Sequence, residues 1–444
     1  MTAGEAKSLI RGLGPMATIA LVTGNVIGSG IYVMPASLAE TAGPLSLLAW
    51  PLVAAAFLPL MVVYAELSRA YPVSGGLQVY AQRAFGDEAG IVTSFLYWIS
   101  AVVSNAAFAT AFVGYAQVFF PALAAPMASF AAAQLLLWTL TAVNMAGVRA
   151  GGRVVLATTV LKIVPLLVLS VAMLSFASPA NLVPFAPKGP TPLFLAIAYV
   201  AWLFIGAESV TVPAEEVKDA SRTIGRAAYW GFGIATAVYG LVAVSLSLAV
   251  PAGEIAGSAS PLALVASRVI GPWGLTLVTV GALVSTAGIL NGWILVAGRL
   301  PFAASRQGLA PEIFGRIHPR TGTPTVSLAF SSLLPALLLF SFFQQHVLQA
   351  YNVLALAATD TALIAIAFAC AAHLVLSRRE PERFSGRWGA APSVVGLVVI
   401  VAMIAGSGGQ VILYAAVATL APIPYIVWRR ARGGPTARPA LERP

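Results

Sequence analysis

Twelve apolar stretches, separated by short loops, constrain this chain more than any other feature. They fall at about 15–40, 44–70, 89–119, 127–146, 153–177, 192–217, 224–250, 262–302, 324–343, 349–377, 391–408 and 410–428. Each is long enough to cross roughly 30 Å of hydrocarbon as a helix. Only 9% of the 444 residues are charged, against roughly 25% in soluble domains. Lipid offers no partner to a bare N–H or C=O group, so runs of this length must satisfy themselves as helices. The expected fold class is all-α and integral to the membrane, with twelve transmembrane helices. Two stretches, 89–119 and 262–302, exceed a simple span and are expected to tilt or to extend out of the bilayer.

The net charge of +10 raises the question of nucleic acid, and the placement of the charges answers it. Of 25 Lys and Arg residues, 22 fall on one set of loops and the two termini, from Lys7 and Arg11 to Arg443. The opposite side holds Lys188 and Arg268, and Lys162 lies inside a span. The positive-inside rule then places both termini in the cytoplasm of a bacterial-type inner membrane. Lys7 and Arg11 precede an apolar run too long for a signal peptide, which reads as a retained first span. One cysteine, Cys370, excludes an internal disulfide and a Cys-based metal cluster. His318, His346 and His373 show no metal spacing. Ser74–Gly86 is amphipathic and too short to span, so it is expected along the cytoplasmic interface. Glu66 and Arg69 are expected to pair. Glu215, Glu216, Asp219 and Arg222 read as a solvated cap, and the tail from Arg429 as disordered.

The first stretch is interrupted by Gly24-Asn25-Val26-Ile27-Gly28-Ser29-Gly30. Each Gly in a helix interior costs about 1 kcal/mol against Ala. A break at bilayer depth requires protein, water or a ligand at its bare backbone groups. A close helix contact through small residues is the structural alternative. A second interruption, Phe204-Ile205-Gly206-Ala207-Glu208, sits five spans later. Five is odd, so the two broken spans run in opposite directions. Paired breaks in oppositely oriented halves point to a secondary transporter built from inverted repeats, residues 15–177 and 192–377, with 391–428 appended. The half-helix after Gly30 would present free N–H groups to a carboxylate. Carbonyls freed before each break would accept from an ammonium. An α-amino acid carries both groups.

These residues resemble the amino acid–polyamine–organocation superfamily of 5+5 inverted-repeat transporters. Gly28-Ser29-Gly30 is similar to its first-helix signature. Gly206-Ala207-Glu208 followed by Glu215-Glu216-Val217-Lys218 is similar to its sixth-helix pattern. The resemblance covers nearly the whole chain and is nearest to arginine/agmatine and basic amino acid/polyamine antiporters. It implies that Ser29 and Gly30 take the substrate carboxylate, and that carbonyls of Asn25, Val26, Trp202 and Ile205 take the ammonium. It implies that Trp293, after Asn291-Gly292, stacks on a guanidinium. Asn105 would touch the side chain, with Ser100, Ala101 and Ala358 completing the substrate set. Tyr97 and Glu208 would form a proximal gate. Two residues depart from those antiporters. Lys162-Ile163-Val164-Pro165 instead resembles proton-coupled permeases, in which this lysine takes the place of a sodium ion. Asp360 stands where the antiporters are apolar.

Lys162 reads either as a bridge from the broken first helix to the eighth span or as a snorkelling lysine. Glu208 reads as a gate or proton acceptor, with a helix cap as the structural alternative and both roles compatible. Asp360 reads as a counter-charge or proton site, or as a carboxylate facing a vestibule or a local Thr. Two substrate readings stand: exchange of a cationic, arginine-like amino acid for its amine or another amino acid, and proton-coupled uptake or exchange of neutral amino acids using Lys162. The expected partners are a small amino acid or amine, protons as a candidate coupling ion, the bilayer, and a second copy of the chain as a candidate. No nucleic acid, cofactor or metal is expected. A channel would need an open pore lined by polar rings. An enzyme would need a motif such as HExxH or a nucleotide loop, and the sequence has neither.

Overall fold

The computed structural model describes residues 13–146, 152–212, 214, 217–340 and 346–431. Lys7, Arg11, Arg149, Glu215, Glu216 and the tail beyond Ala431 fall outside the described residues. The first apolar stretch holds α1 (Pro15–Val26) and α2 (Gly30–Ala42), and the second holds α3 (Ala49–Ala70). The short α4 (Leu77–Phe85) leads into α5 (Asp87–Ala116), followed by α6 (Pro126–Met145) and α7 (Gly152–Leu174). The sixth stretch opens with α8 (Leu193–Phe204), and α9 (Ala220–Ala249) fills the seventh. Then come α10 (Ala252–Ile255), α11 (Pro261–Val269), α12 (Pro272–Arg306), α13 (Thr325–Leu338) and α14 (Val347–Arg379). The chain closes with α15 (Ala391–Gly406), α16 (Gly409–Leu420) and α17 (Ile423–Ala431).

Among the described residues the protein is all-helical, and one isolated bridge pairs Leu13 with Val217. Eight segments are long and apolar enough to cross a membrane, one of them the continuous run Pro15–Ala70. Three shorter apolar helices, Thr159–Leu174, Thr325–Leu338 and Ala391–Gly406, accompany them. The outer surface is apolar as well: Leu135, Val171, Val401 and Leu413 are each at least 60% exposed. Water would penalise such a surface, whereas lipid does not.

Three expectations need correction. The overlong stretch 262–302 is two helices, because Ile270-Gly271 breaks it and Gly271 takes φ 82° ahead of Pro272. The stretch 192–217 is a helix only to Phe204; beyond the break it is a 3-10 turn, Ala207–Thr211. Side-chain hydroxyls compete for its backbone there: Ser209 Oγ donates to Gly206 O at 2.6 Å and Thr211 Oγ1 to Glu208 O at 2.7 Å. Finally, α17 continues through Arg429–Ala431, and Arg429 Nη2 lies 2.9 Å from Asp87 Oδ2.

Helix α5 forms the centre, packed against α14 and α12, while α1 packs against α9 and α7. The chain just before α1 is tied to the end of the sixth stretch, where Lys218 N donates to Leu13 O at 2.9 Å. The loop before α4 reaches the same region, through Gly75 N to Val212 O at 3.1 Å. The two broken stretches are therefore clamped side by side.

Candidate functional site

The first stretch opens at Ile27-Gly28-Ser29, between α1 and α2. The first N–H groups of α2 have no intrahelical acceptor. The sixth stretch opens at Ile205-Gly206, where Gly206 takes φ 122°. A Cβ on Gly206 would lie 2.6 Å from Asn25 O, and one on Gly30 would lie 2.6 Å from Leu203 Cγ. Gly206 thus meets the backbone of the first break and Gly30 the Leu203 side chain, which explains the two glycines. Asn25 Nδ2 donates to Ser209 Oγ at 2.7 Å and crosses both breaks.

Between them lies a small cavity. Asn25, Val26, Ser29, Gly30, Trp202, Ile205 and Trp293, seven residues that the sequence singled out, all line it. Gly28, Ser104, Phe108, Leu203 and Ile289 complete the wall. Phe108 stands 5.6 Å from the Trp202 ring and 6.4 Å from the Trp293 ring, so three aromatic faces bound the space. The Trp293 indole N–H is buried with no hydrogen-bond partner among the described residues.

The other predicted substrate residues sit outside that lining. Ser100 Oγ donates to Ala358 O at 2.8 Å, so these two seal α5 to α14. Ala101 is fully buried beside them. Asn105 is fully buried, and neither amide atom has a partner among the described residues. Ser104 takes the place at the cavity that the sequence assigned to its neighbours.

Tyr97 Oη donates to Glu208 Oε1 at 3.0 Å, and the Tyr97 ring meets Trp293 edge-on at 6.2 Å. Glu208 also accepts from Gly206 N, at 3.1 Å and 3.0 Å to its two oxygens. One carboxylate therefore holds the expected gate contact and caps the freed N–H. Lys162 Nζ donates to Gly24 O at 2.9 Å, and its Cε would be 3.2 Å from a Cβ on Gly288 of α12. The ammonium is directed at the first stretch and wedged against the eighth. Asp360 is buried, with Oδ2 accepting from Ser407 Oγ at 2.6 Å. It faces the α15–α16 junction and not the cavity. Glu66 does not pair with Arg69; it accepts from the buried His373 Nε2 at 2.9 Å and from Ser385. His373 Nδ1 lies 2.8 Å from Ser393 Oγ.

Two tyrosines at the breaks escaped the sequence reading. Tyr239 Oη on α9 lies 2.6 Å from Val26 O and 3.1 Å from Leu203 O, carbonyls in the last turns of both half-helices. Tyr351 Oη on α14 lies 3.0 Å from Ser29 Oγ and accepts from Trp202 Nε1 at 2.9 Å. Nothing near them in sequence signals these partners. Phe108 was more visible: Tyr97, Ala101, Ser104 and Phe108 follow one helical face.

A family model described as amino acid permease matches residues 13–428. A putative arginine/ornithine antiporter of Bacillus subtilis is 28% identical over 378 residues, covering 78% of this chain and 80% of that protein. A branched-chain amino acid permease of the same organism is 28% identical over 353 residues, 76% of each chain. A cadaverine/lysine antiporter of Escherichia coli is 28% identical over 328 residues, 72% of each.

Proposed function

The chain belongs to the amino acid permease family, and from that premise we propose that it carries α-amino acids across a cell membrane by alternating access. It is a multi-pass membrane protein of a transporter family. The observation that carries the substrate reading is the single cavity in which both chain breaks meet three aromatic rings. The free N–H groups at the start of α2, with Ser29 Oγ, receive the carboxylate. Carbonyls at Asn25 and Ile205 receive the ammonium. Val26 O already accepts from Tyr239 and offers only its second lone pair.

The side chain then points toward Phe108 and Trp293. The aromatic faces suit a guanidinium or ammonium, and the unpartnered indole N–H of Trp293 and amide of Asn105 offer polar contacts beyond them. This supports exchange of a cationic amino acid for its amine or another amino acid. Relatives named for arginine, ornithine, lysine and cadaverine agree with it. A second reading, proton-linked uptake of neutral amino acids, is favoured by the Lys162 contact to Gly24 O and by the relative named for branched-chain substrates. The surrounding architecture in this proposal is twelve spans. Residues 15–177 and 192–377 form inverted repeats, both termini face the cytoplasm of the plasma membrane, and a homodimer is the candidate assembly.

Counterflow in proteoliposomes tests the two readings. Vesicles loaded in turn with arginine, ornithine, putrescine or leucine are assayed for uptake of labelled arginine and leucine, with and without a pH gradient. Arginine uptake that requires a cationic partner inside is expected. Leucine uptake driven by inward protons, and lost in Lys162→Ala, would overturn the cationic assignment in favour of the second reading.

A further inference from the structure

Tyr351 is fully buried on α14. Its hydroxyl touches Ser29 Oγ of the first break and accepts the Trp202 indole N–H of the sixth stretch. Neither Ser29 Oγ nor Trp202 Nε1 has any other hydrogen-bond partner among the described residues. Ser29 is also the residue that receives the substrate carboxylate in the proposed function, and the inference here rests on that reading. We infer that Tyr351 is an internal stand-in for the substrate carboxylate. Its hydroxyl occupies Ser29 and Trp202 when the cavity is empty, and so lets the unloaded carrier close.

The physical reason lies in what closure buries. Bringing the first, sixth and tenth stretches together without cargo takes Ser29 Oγ and Trp202 Nε1 out of water. A buried polar group left unpaired costs its full desolvation. One phenolic oxygen meets both: it accepts from the indole and shares a hydrogen with the serine. A carboxylate has two acceptor oxygens and no hydrogen to give. It takes the Ser29 hydrogen together with the free N–H groups that open α2, so Ser29 no longer donates to Tyr351. A carrier that closes empty returns without cargo and performs net transport. A carrier that closes only when loaded is confined to exchange. Tyr351 therefore sets the ratio between the two modes.

The experiment compares the unmodified protein with Tyr351→Phe in proteoliposomes filled with labelled arginine. Release is followed into buffer containing unlabelled arginine (exchange) and into arginine-free buffer (net efflux). For Tyr351→Phe, exchange is expected within about twofold of the unmodified rate and net efflux about tenfold slower, the size of effect that one or two lost hydrogen bonds produce. Equilibrium binding of arginine is expected to tighten by about three- to tenfold, because an internal competitor has been removed. A tyrosine with only a packing role would leave binding unchanged or weaken it. Trp202→Phe keeps a ring and deletes the donor; it is expected to slow net efflux more than exchange, and it carries the test if Tyr351→Phe is not recovered folded. Equal losses in both modes, or net efflux that does not change, overturn the inference alone. Absence of saturable exchange of both arginine and leucine by the unmodified protein overturns the transport reading and this inference with it.

Discussion

Gly206 is the residue with the least freedom to change. Its φ of 122° lies where L side chains rarely go, and the nearest obstacle to a Cβ is the backbone of Asn25, which cannot swing away. Gly206→Ala is expected to cost about 1–3 kcal/mol in backbone strain alone. We expect a lower thermal transition in detergent and an initial exchange rate reduced by at least about tenfold. An unchanged rate would show that the breaks need not touch. Trp293 makes a different prediction, because its contribution depends on the cargo. Trp293→Leu is expected to raise the apparent KM for arginine by about 2- to 30-fold, the range of a cation–π contact. The KM for leucine should move less. These two residues were legible in the sequence because a glycine or tryptophan in a small-residue run stands out locally. Tyr239 and Tyr351 were not, since their meaning depends on partners 213 and 322 residues away. Ser104, which lines the cavity beside Asn105, was not singled out, because a shift of one residue along α5 turns a side chain by about 100°.

At the scale of elements, the two breaks were visible and their consequences only partly so. The glycines announced where α1 and α8 would stop. They did not announce that the sixth stretch would continue as a 3-10 turn, because that follows from Ser209 and Thr211 bonding back onto their own backbone. Proximity in sequence also misled at Glu66. Arg69 is one helical turn away on α3, yet the carboxylate binds His373 of α14 and so joins helices distant in the chain. Helix α17 shows how an element at the end of the chain is held. Tyr425 and Ile426 pack on Ile91 of α5 and on Ala304 and Leu309 near the end of α12. Arg429 and Arg430 reach Asp87 and Glu88 at the start of α5. The Arg430–Glu88 pair is exposed and contributes little, whereas an aspartate at the partly buried Ile426 would place a charge against apolar neighbours, at a cost of several kcal/mol. Ile426→Asp is therefore expected to release α17 and Arg430→Ala to leave it docked. Protease sensitivity of the segment in detergent, read by mass, distinguishes them. Release by both variants would place the energy in the charges.

For the whole molecule, composition and span length were enough to predict an all-helical membrane protein, because lipid permits so few alternatives. The closure of the cavity was not predictable, since it is made by contacts between distant stretches. Ser29, Tyr351 and Trp202 close one side, while Tyr97, Glu208 and Gly206 tie the other. The two halves of the chain also share Tyr239. Its hydroxyl has one hydrogen and faces two acceptors, Val26 O at 2.6 Å and Leu203 O at 3.1 Å. The shorter contact to Val26 O takes the larger share of that hydrogen. One phenol on α9 is thus the common fastening of both half-helix ends, so loss of that single hydroxyl would loosen the two together.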